Sequence, residues 1–376
     1  MKKILFFVES LHCGGAEKSL LSLLNNIDLS RYDINLMVFV KGGEFEKFVP
    51  QGIDIKHADV NIGAFERIKF KLLRFLDIKN KNHNAQLFWK SINSKIPKNE
   101  EAYDLAIAWG QGFATYYVSQ KINAVKKLAW VNIDYKKAGY NWKMDLDLYK
   151  NFNKVVGVSD FVKESMQQFL PNEQVISIRN IIDPDEITNR AELPKKDTFC
   201  DNCINIVSVG RLAKQKGFEL AIRAMKILTN ENSKKIHLYI IGEGPERAFL
   251  ENEIETNMMS ENCTLLGFRD NPYPYIKAAD IYLQSSWFEG LGRTIIEAGL
   301  LCKPIVTTNF PTAHSILKQE KTGLIVNMTP IDIANGLKRI IDNNDFKNTL
   351  IHNLKHQEDN EKEKTLRLVY DLFDTI

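Results

Sequence analysis

The chain has 376 residues, of which 44% are hydrophobic and 26% charged, with 50 basic against 47 acidic side chains and a formal net charge of +3. That length exceeds one ordinary core and suits two domains of common size, and the apolar-to-charged balance excludes a disordered chain or a membrane-spanning bundle. Near-neutral charge without aromatic-interleaved basic runs argues against nucleic acid as a partner.

The first residues, MKKILFFVESLHCGG, imitate a secretory signal with two lysines, an apolar run and Cys13. The run Ile4–Val8 ends at Glu9, too early for such a signal, and reads as a buried first strand. No window approaches the roughly 18 uninterrupted apolar residues of a membrane span. Five cysteines, an odd number, fit a reducing compartment. The expected location is the cytoplasm, extending to the inner face of the plasma membrane.

After that strand, Gly14-Gly15 permits a tight turn and Ala16–Leu24 carries helical spacing. Further strands are predicted at Ile34–Val40, Asp104–Trp109, Lys127–Asn132 and Val155–Val158. Between them, Ala64 to His83 sets Arg67, Lys69, Lys71, Arg74, Lys79 and Lys81 among Phe65, Ile68, Leu72, Phe75 and Leu76. Two readings are open for this basic amphipathic helix: an inward apolar stripe with its lysines in water, or a helix lying on an anionic membrane. Two Asp-x-Asp matches, Asp145–Asp147 and Asp183–Asp185, fit the letters of a metal-held diphosphate site. The first lies in a helical pattern and the second in a polar, proline-bearing stretch, away from the strand ends where such a site works, so no metal is expected.

That stretch, residues 181–203, reads as a linker. It ends in Cys200-Asp-Asn-Cys203, one CxxC without a second pair, which reads as two ordinary thiols rather than a zinc site. Beyond it, strands are predicted at Ile204–Val209, His237–Ile241, Thr264–Leu266, Ile281–Gln284 and Pro304–Thr307, alternating with helical patterns in the manner of a parallel α/β sheet. Neither half contains GxGxxG, so a dinucleotide dehydrogenase is disfavoured.

The densest chemistry is in Trp287–Gly299, WFEGLGRTIIEAG. Gly290 and Gly292 put Glu289 in a loop and start a helix at Thr294, so the amides of Leu291, Gly292, Arg293 and Thr294 face outward and suit a phosphate. Glu297, two turns along, suits ribose hydroxyls. Glu289 is placed beside the group that the phosphates carry. Arg211 and Lys216, after Gly210 at the carboxyl end of the half's first strand, supply cations for a diphosphate that gathers charge as it departs.

These segments resemble glycosyltransferase family 4, retaining enzymes of the GT-B fold with a Glu-x7-Glu signature, here Glu289 to Glu297. VGRLAKQKGFELAI, LYIIGEGPE, CTLLGFRDN and ADIYLQSSWFEGLG stand in the family's order over residues 204–326. The resemblance implies an α/β chain of two Rossmann-like domains facing across a cleft: residues 1–180 on the acceptor side, 204–355 binding nucleotide sugar, and a helix in 356–376 returning to the first domain. It implies Glu297 on ribose, Arg211 and Lys216 on the diphosphate, Glu289 on the donor sugar, Phe268 near the nucleobase, and Gly14 and Gly15 lining the cleft. Where relatives show Trp-x-His, this chain has Trp130-Val131-Asn132, so Asn132 can bond a sugar but cannot titrate, and Asp134 is the nearest carboxylate.

The implied activity moves a hexose or N-acetylhexosamine from a nucleotide donor, UDP being the expected nucleotide, to a saccharide or lipid-linked acceptor in surface polysaccharide synthesis, without cofactor or metal. Alternatives are a GT-B epimerase or hydrolase of nucleotide sugars and a non-catalytic partner subunit. On this reading Glu297→Ala weakens nucleotide binding and leaves the fold intact.

Overall fold

The computed structural model describes residues 1–376 except 13, 59, 61, 80, 232–233 and 358–359. Cys13, at the first glycine turn, and Asn80, in the basic amphipathic segment, therefore lie outside the described residues. The chain divides into two compact units, Met1–Ile181 with Glu361–Ile376, and Ile182–Asn360.

The first unit is built on seven strands, β1 (Lys2–Ser10), β2 (Tyr32–Val40), β3 (Ile55–His57), β4 (Ala102–Trp109), β5 (Asn123–Val131), β6 (Lys154–Gly157) and β7 (Val175–Ser177), in the order β3-β2-β1-β4-β5-β6-β7. Every pairing is parallel. The unbroken run Ile4–Val8 is buried throughout, as a strand covered on both faces requires. The last helix, Glu361–Thr375, packs here: Phe373 lies edge-on to Phe6, Lys2 Nζ donates to the Phe373 carbonyl at 2.6 Å, and Tyr32 donates to Asp374 at 2.6 Å.

The second unit carries β8 (Ile204–Val209), β9 (Ile236–Ile241), β10 (Cys263–Gly267), β11 (Ile281–Gln284), β12 (Ile305–Thr308) and β13 (Leu324–Val326), all parallel, in the order β10-β9-β8-β11-β12-β13. The three strands absent from the sequence reading, β3, β7 and β13, are three-residue edge strands. Three residues are too few to show a period.

Residues 181–203, expected as a linker, fold into the second unit. Asp183 caps a helix, Pro184–Ala191, by accepting from the amides of Asp185 and Glu186, and the proline falls in the first turn, where its missing N–H leaves no bond unmade. Ile187, Ala191 and Phe199 are buried in the unit's core. Cys200 and Cys203, expected as separate thiols, are joined as a disulfide across a turn with Asn202 at φ 56°.

The carboxylates of the first Asp-x-Asp pair part to different surroundings. Asp147 is exposed and pairs with Lys150, while Asp145 is buried, its Oδ2 accepting from Gln86 at 2.7 Å, Tyr116 at 2.9 Å and Tyr135. Burial outweighs these donors and pushes the Asp145 carboxyl up to about 6. A carboxyl whose pKa is higher folded than unfolded favours the fold fully below its unfolded pKa, and loses that contribution as pH rises through 6. Asp145→Asn keeps an acceptor and removes the titration. Between pH 4 and pH 7, its urea-unfolding stability should gain about 2–3 kcal/mol relative to the parent. A difference independent of pH would contradict the assignment.

Candidate functional site

In the second sheet β8 and β11 are neighbours, yet the chain leaves β8 toward β9 on one side and continues from β11 to β12 on the other. Such a switch opens a crevice beyond the carboxyl ends of the two strands, where open α/β sheets bind ligands. The loop after β8 holds Gly210 to Gly217, and the loop after β11 leads to the helix Arg293–Leu300. They are pinned to each other: Trp287 N–H donates to the Gln215 carbonyl at 2.8 Å and the Ser285 hydroxyl to the Lys216 carbonyl at 3.0 Å.

One glycine makes that approach feasible, and a second shapes the turn into the helix. Gly217 has φ 58°, and a Cβ there would sit 2.3 Å from the Ser285 carbonyl oxygen. Gly292 has φ 73° and would bring a Cβ within 2.6 Å of Ile316 Cδ1. At Gly217 both conformation and space demand glycine, and at Gly292 the left-handed conformation does. Gly292 precedes the helix and supplies no side-chain cap, and the Ile295 amide closes the first turn onto the Gly292 carbonyl at 3.0 Å; a helix start without a side-chain cap suits an anion.

Glu289 is the best-held side chain of the site. Its Oε1 accepts from Lys216 Nζ at 2.6 Å, Ser286 Oγ at 2.6 Å and Gln284 Nε2 at 2.8 Å. Oε2 takes no bond among the described residues, so one oxygen is anchored and the other is left for a ligand. The anchoring residue is itself fixed: Gln284 donates to Ser286 at 2.6 Å and accepts from Tyr282 and Thr294, each at 2.9 Å. All four of its amide positions are engaged. Lys216, expected on the diphosphate alone, thus also bridges to the carboxylate expected on the sugar, and the side chains of this ion pair are only 16% and 8% exposed. Arg211, on the same loop, is exposed and makes no side-chain bond among the described residues.

Glu297 lies within the helix, 1% exposed, with Oε1 accepting from Arg293 Nε at 2.9 Å and the Tyr273 hydroxyl at 3.1 Å. Burial holds the Tyr273 hydroxyl well above its ordinary pKa, keeping it a donor. Arg293, read from sequence for its amide, is thus a buried ion-pair partner. This corrects the expectation that Glu297→Ala would leave the fold intact: truncation strands a buried guanidinium, a loss of about 3–5 kcal/mol. Glu297→Gln is the variant that tests the ribose role. Leu291 is buried in the turn and Phe268 half-buried beside β10.

In the first unit, Gly14 caps the helix Gly15–Asn26 after β1 in extended conformation, with no side-chain bond to the helix start. Asn132 follows β5; its Oδ1 accepts from Asn180 at 2.8 Å, while its Nδ2 is buried without an acceptor. Asp134 is occupied structurally, its Oδ1 accepting from the amides of Lys136 and Lys137 and from Ser165. Through this oxygen it closes a turn.

Residues 189–357 match the family model described as glycosyl transferases group 1. A glycosyltransferase of Methanocaldococcus jannaschii is 29% identical over 204 residues, half of each chain, so the chain spans about half the length of the first curated relatives it matches. An N-acetylgalactosamine-N,N'-diacetylbacillosaminyl-diphospho-undecaprenol 4-alpha-N-acetylgalactosaminyltransferase of Campylobacter jejuni is 26% identical over 364 residues, 91% of each chain. Among solved structures, Anabaena HepE in complex with UDP and glucose superposes with a TM-score of 0.73 at 16% identity, covering 100% of both chains. The fold is GT-B, two parallel-sheet α/β units in one chain.

Within residues 189–357, the sequence pointed to Glu289, Glu297, Lys216 and Arg211 but gave no role to Gln284, Ser286 or Tyr273. The available signal was a glutamine closing an otherwise apolar buried strand. Gln284→Leu, similar in volume, would take the acceptor from Tyr282 and Thr294 and one donor each from Ser286 and Glu289. We expect a loss of about 2–4 kcal/mol in chemical unfolding, from several buried groups losing partners. A loss below about 1 kcal/mol would show that the network does not hold the loop.

Proposed function

We propose that this protein is a retaining glycosyltransferase of the family 4 type, moving a hexose or N-acetylhexosamine from a UDP-linked donor to a saccharide or lipid-linked oligosaccharide acceptor in bacterial surface polysaccharide synthesis. The observation that carries the reading is the half-anchored Glu289, bonded to Lys216 beside an uncapped helix start, at the switch point of the second sheet. The polyprenyl-diphosphate acceptor named for the Campylobacter relative supports the choice of acceptor class.

In this reaction the bond from the anomeric carbon to the diphosphate oxygen breaks, and a bond from an acceptor hydroxyl forms on the same face. The acceptor proton passes to the departing diphosphate, which needs no protein base on the acceptor side. The chain has to stabilise the growing charge on the diphosphate and fix the sugar. The amides of Gly290–Thr294 and the exposed Arg211 suit the phosphates, and Glu297 suits ribose. Lys216 reaches toward both tasks. Its bond to Oε1 orients Glu289, and its remaining N–H groups can meet the oxygen that lets go of the sugar. Fixed cations of this kind act where charge develops, in place of a metal.

Lys216→Ala should therefore lower kcat by about 10²–10³ while donor binding suffers less, because the contact strengthens as the sugar leaves. Glu289→Gln retains an acceptor for Lys216 and Ser286, and should lower kcat through lost charge at the sugar with the fold kept. The measurement is steady-state transfer with direct donor binding, run also in EDTA, where activity should persist. If the variants raise KM alone, these residues only bind. Free sugar released without an acceptor would favour a hydrolase, and donor binding with no turnover a non-catalytic subunit.

A further inference from the structure

The segment read from sequence as a basic amphipathic helix forms a helix over Ala64–Leu76, and its apolar stripe faces outward. Phe65 is 71% exposed, Ile68 65%, Leu72 54%, Phe75 80% and Leu76 62%, with Ile78 just beyond the helix at 87%. This overturns the reading with the stripe turned inward. The helix meets its own unit through a different face: Glu66 is buried, and Phe70 packs edge-on against Phe88 at 5.4 Å.

With 3.6 residues per turn, Phe65, Ile68, Leu72, Phe75 and Leu76 form one continuous strip, Arg67, Lys71 and Arg74 line one flank, and Lys69 lies on the other. The helix's one carboxylate, Glu66, is turned inward, so the exposed strip has cations beside it and no acid of its own helix to balance them. Water does not favour so large an apolar surface, and a contiguous patch of this kind marks an interaction site. A protein partner's apolar contact would be rimmed by mixed charge. A single-sign basic flank along an exposed apolar strip complements a bilayer, where the strip enters the acyl boundary and the cations meet anionic headgroups. Among the described residues no helix is long and apolar enough to cross a membrane, so the contact is one of lying on the surface.

We propose that Ala64–Leu76 docks this protein onto an anionic phospholipid surface, with Phe65, Ile68, Leu72, Phe75 and Leu76 inserted and Arg67, Lys71 and Arg74 on the headgroups. The proposal is independent of the transferase reading, since it is tested without turnover. The full-length protein is sedimented with vesicles of phosphatidylcholine alone and of phosphatidylcholine mixed with phosphatidylglycerol. Binding is expected to the mixed vesicles and to fall with added salt. Ile68→Glu with Phe75→Glu should abolish it with the circular dichroism unchanged, because both side chains sit in water. Arg67→Gln, Lys71→Gln and Arg74→Gln should each weaken partition about fivefold. No binding to the mixed vesicles at low salt, or equal binding by the Ile68→Glu Phe75→Glu protein, overturns the proposal. So does a dimer in light scattering that Phe75→Glu dissolves and the vesicles leave intact, which would show a second copy covering the strip.

Discussion

The carboxylate of Glu289 is the point on which the second unit's crevice depends. A loop glutamate with 6% exposure is costly unless its charge is met, and three donors converge on one of its oxygens. Two of them come from the end of β11 and its loop, and the third from the loop after β8. The ion pair thereby locks together the two strand ends between which the topology reverses. Gly217 follows from the same constraint, because the two loops could not approach this closely with a Cβ there.

Much of this was legible in the chain. A buried strand, then glycines, then a helix with Glu in its second turn implies an anion site at the helix start, whatever the family. The strands that flank the site, β8 and β11, were placed at their observed limits because each is a short apolar run closed by a turn signal. What the sequence hid was pairing. Nothing in the spacing of Lys216 and Glu289, 73 positions apart, says that they touch. Nothing in Arg293 says that its side chain turns back to Glu297 rather than out to a ligand. Such pairings are set by tertiary approach, which local periodicity does not encode.

Two other segments differ from their local reading for related reasons. The polar stretch 181–203 looks like a tether by composition, but three apolar residues and one capping aspartate suffice to fold it onto the second core. The helix Ala64–Leu76 has two apolar faces, a narrow one holding Phe70 against the unit and a broad one facing out. Amphipathic periodicity reports that a helix has a face, and only the structure tells which face is buried. In the first unit, Asn132 and Asp134 follow β5 as read, with one oxygen of Asp134 closing its turn and Asn132 held by Asn180, partners that the spacing of these residues did not announce.

The most direct test of this account is a crystal structure of the protein with a nucleoside diphosphate bound. The account predicts the diphosphate on the amides of Gly290–Thr294 within reach of Lys216 and Arg211, the ribose on Glu297, and Glu289 still bonded through Oε1 to Gln284 and Ser286. A diphosphate lodged away from the carboxyl ends of β8 and β11, with the Lys216–Glu289 pair untouched, would contradict it.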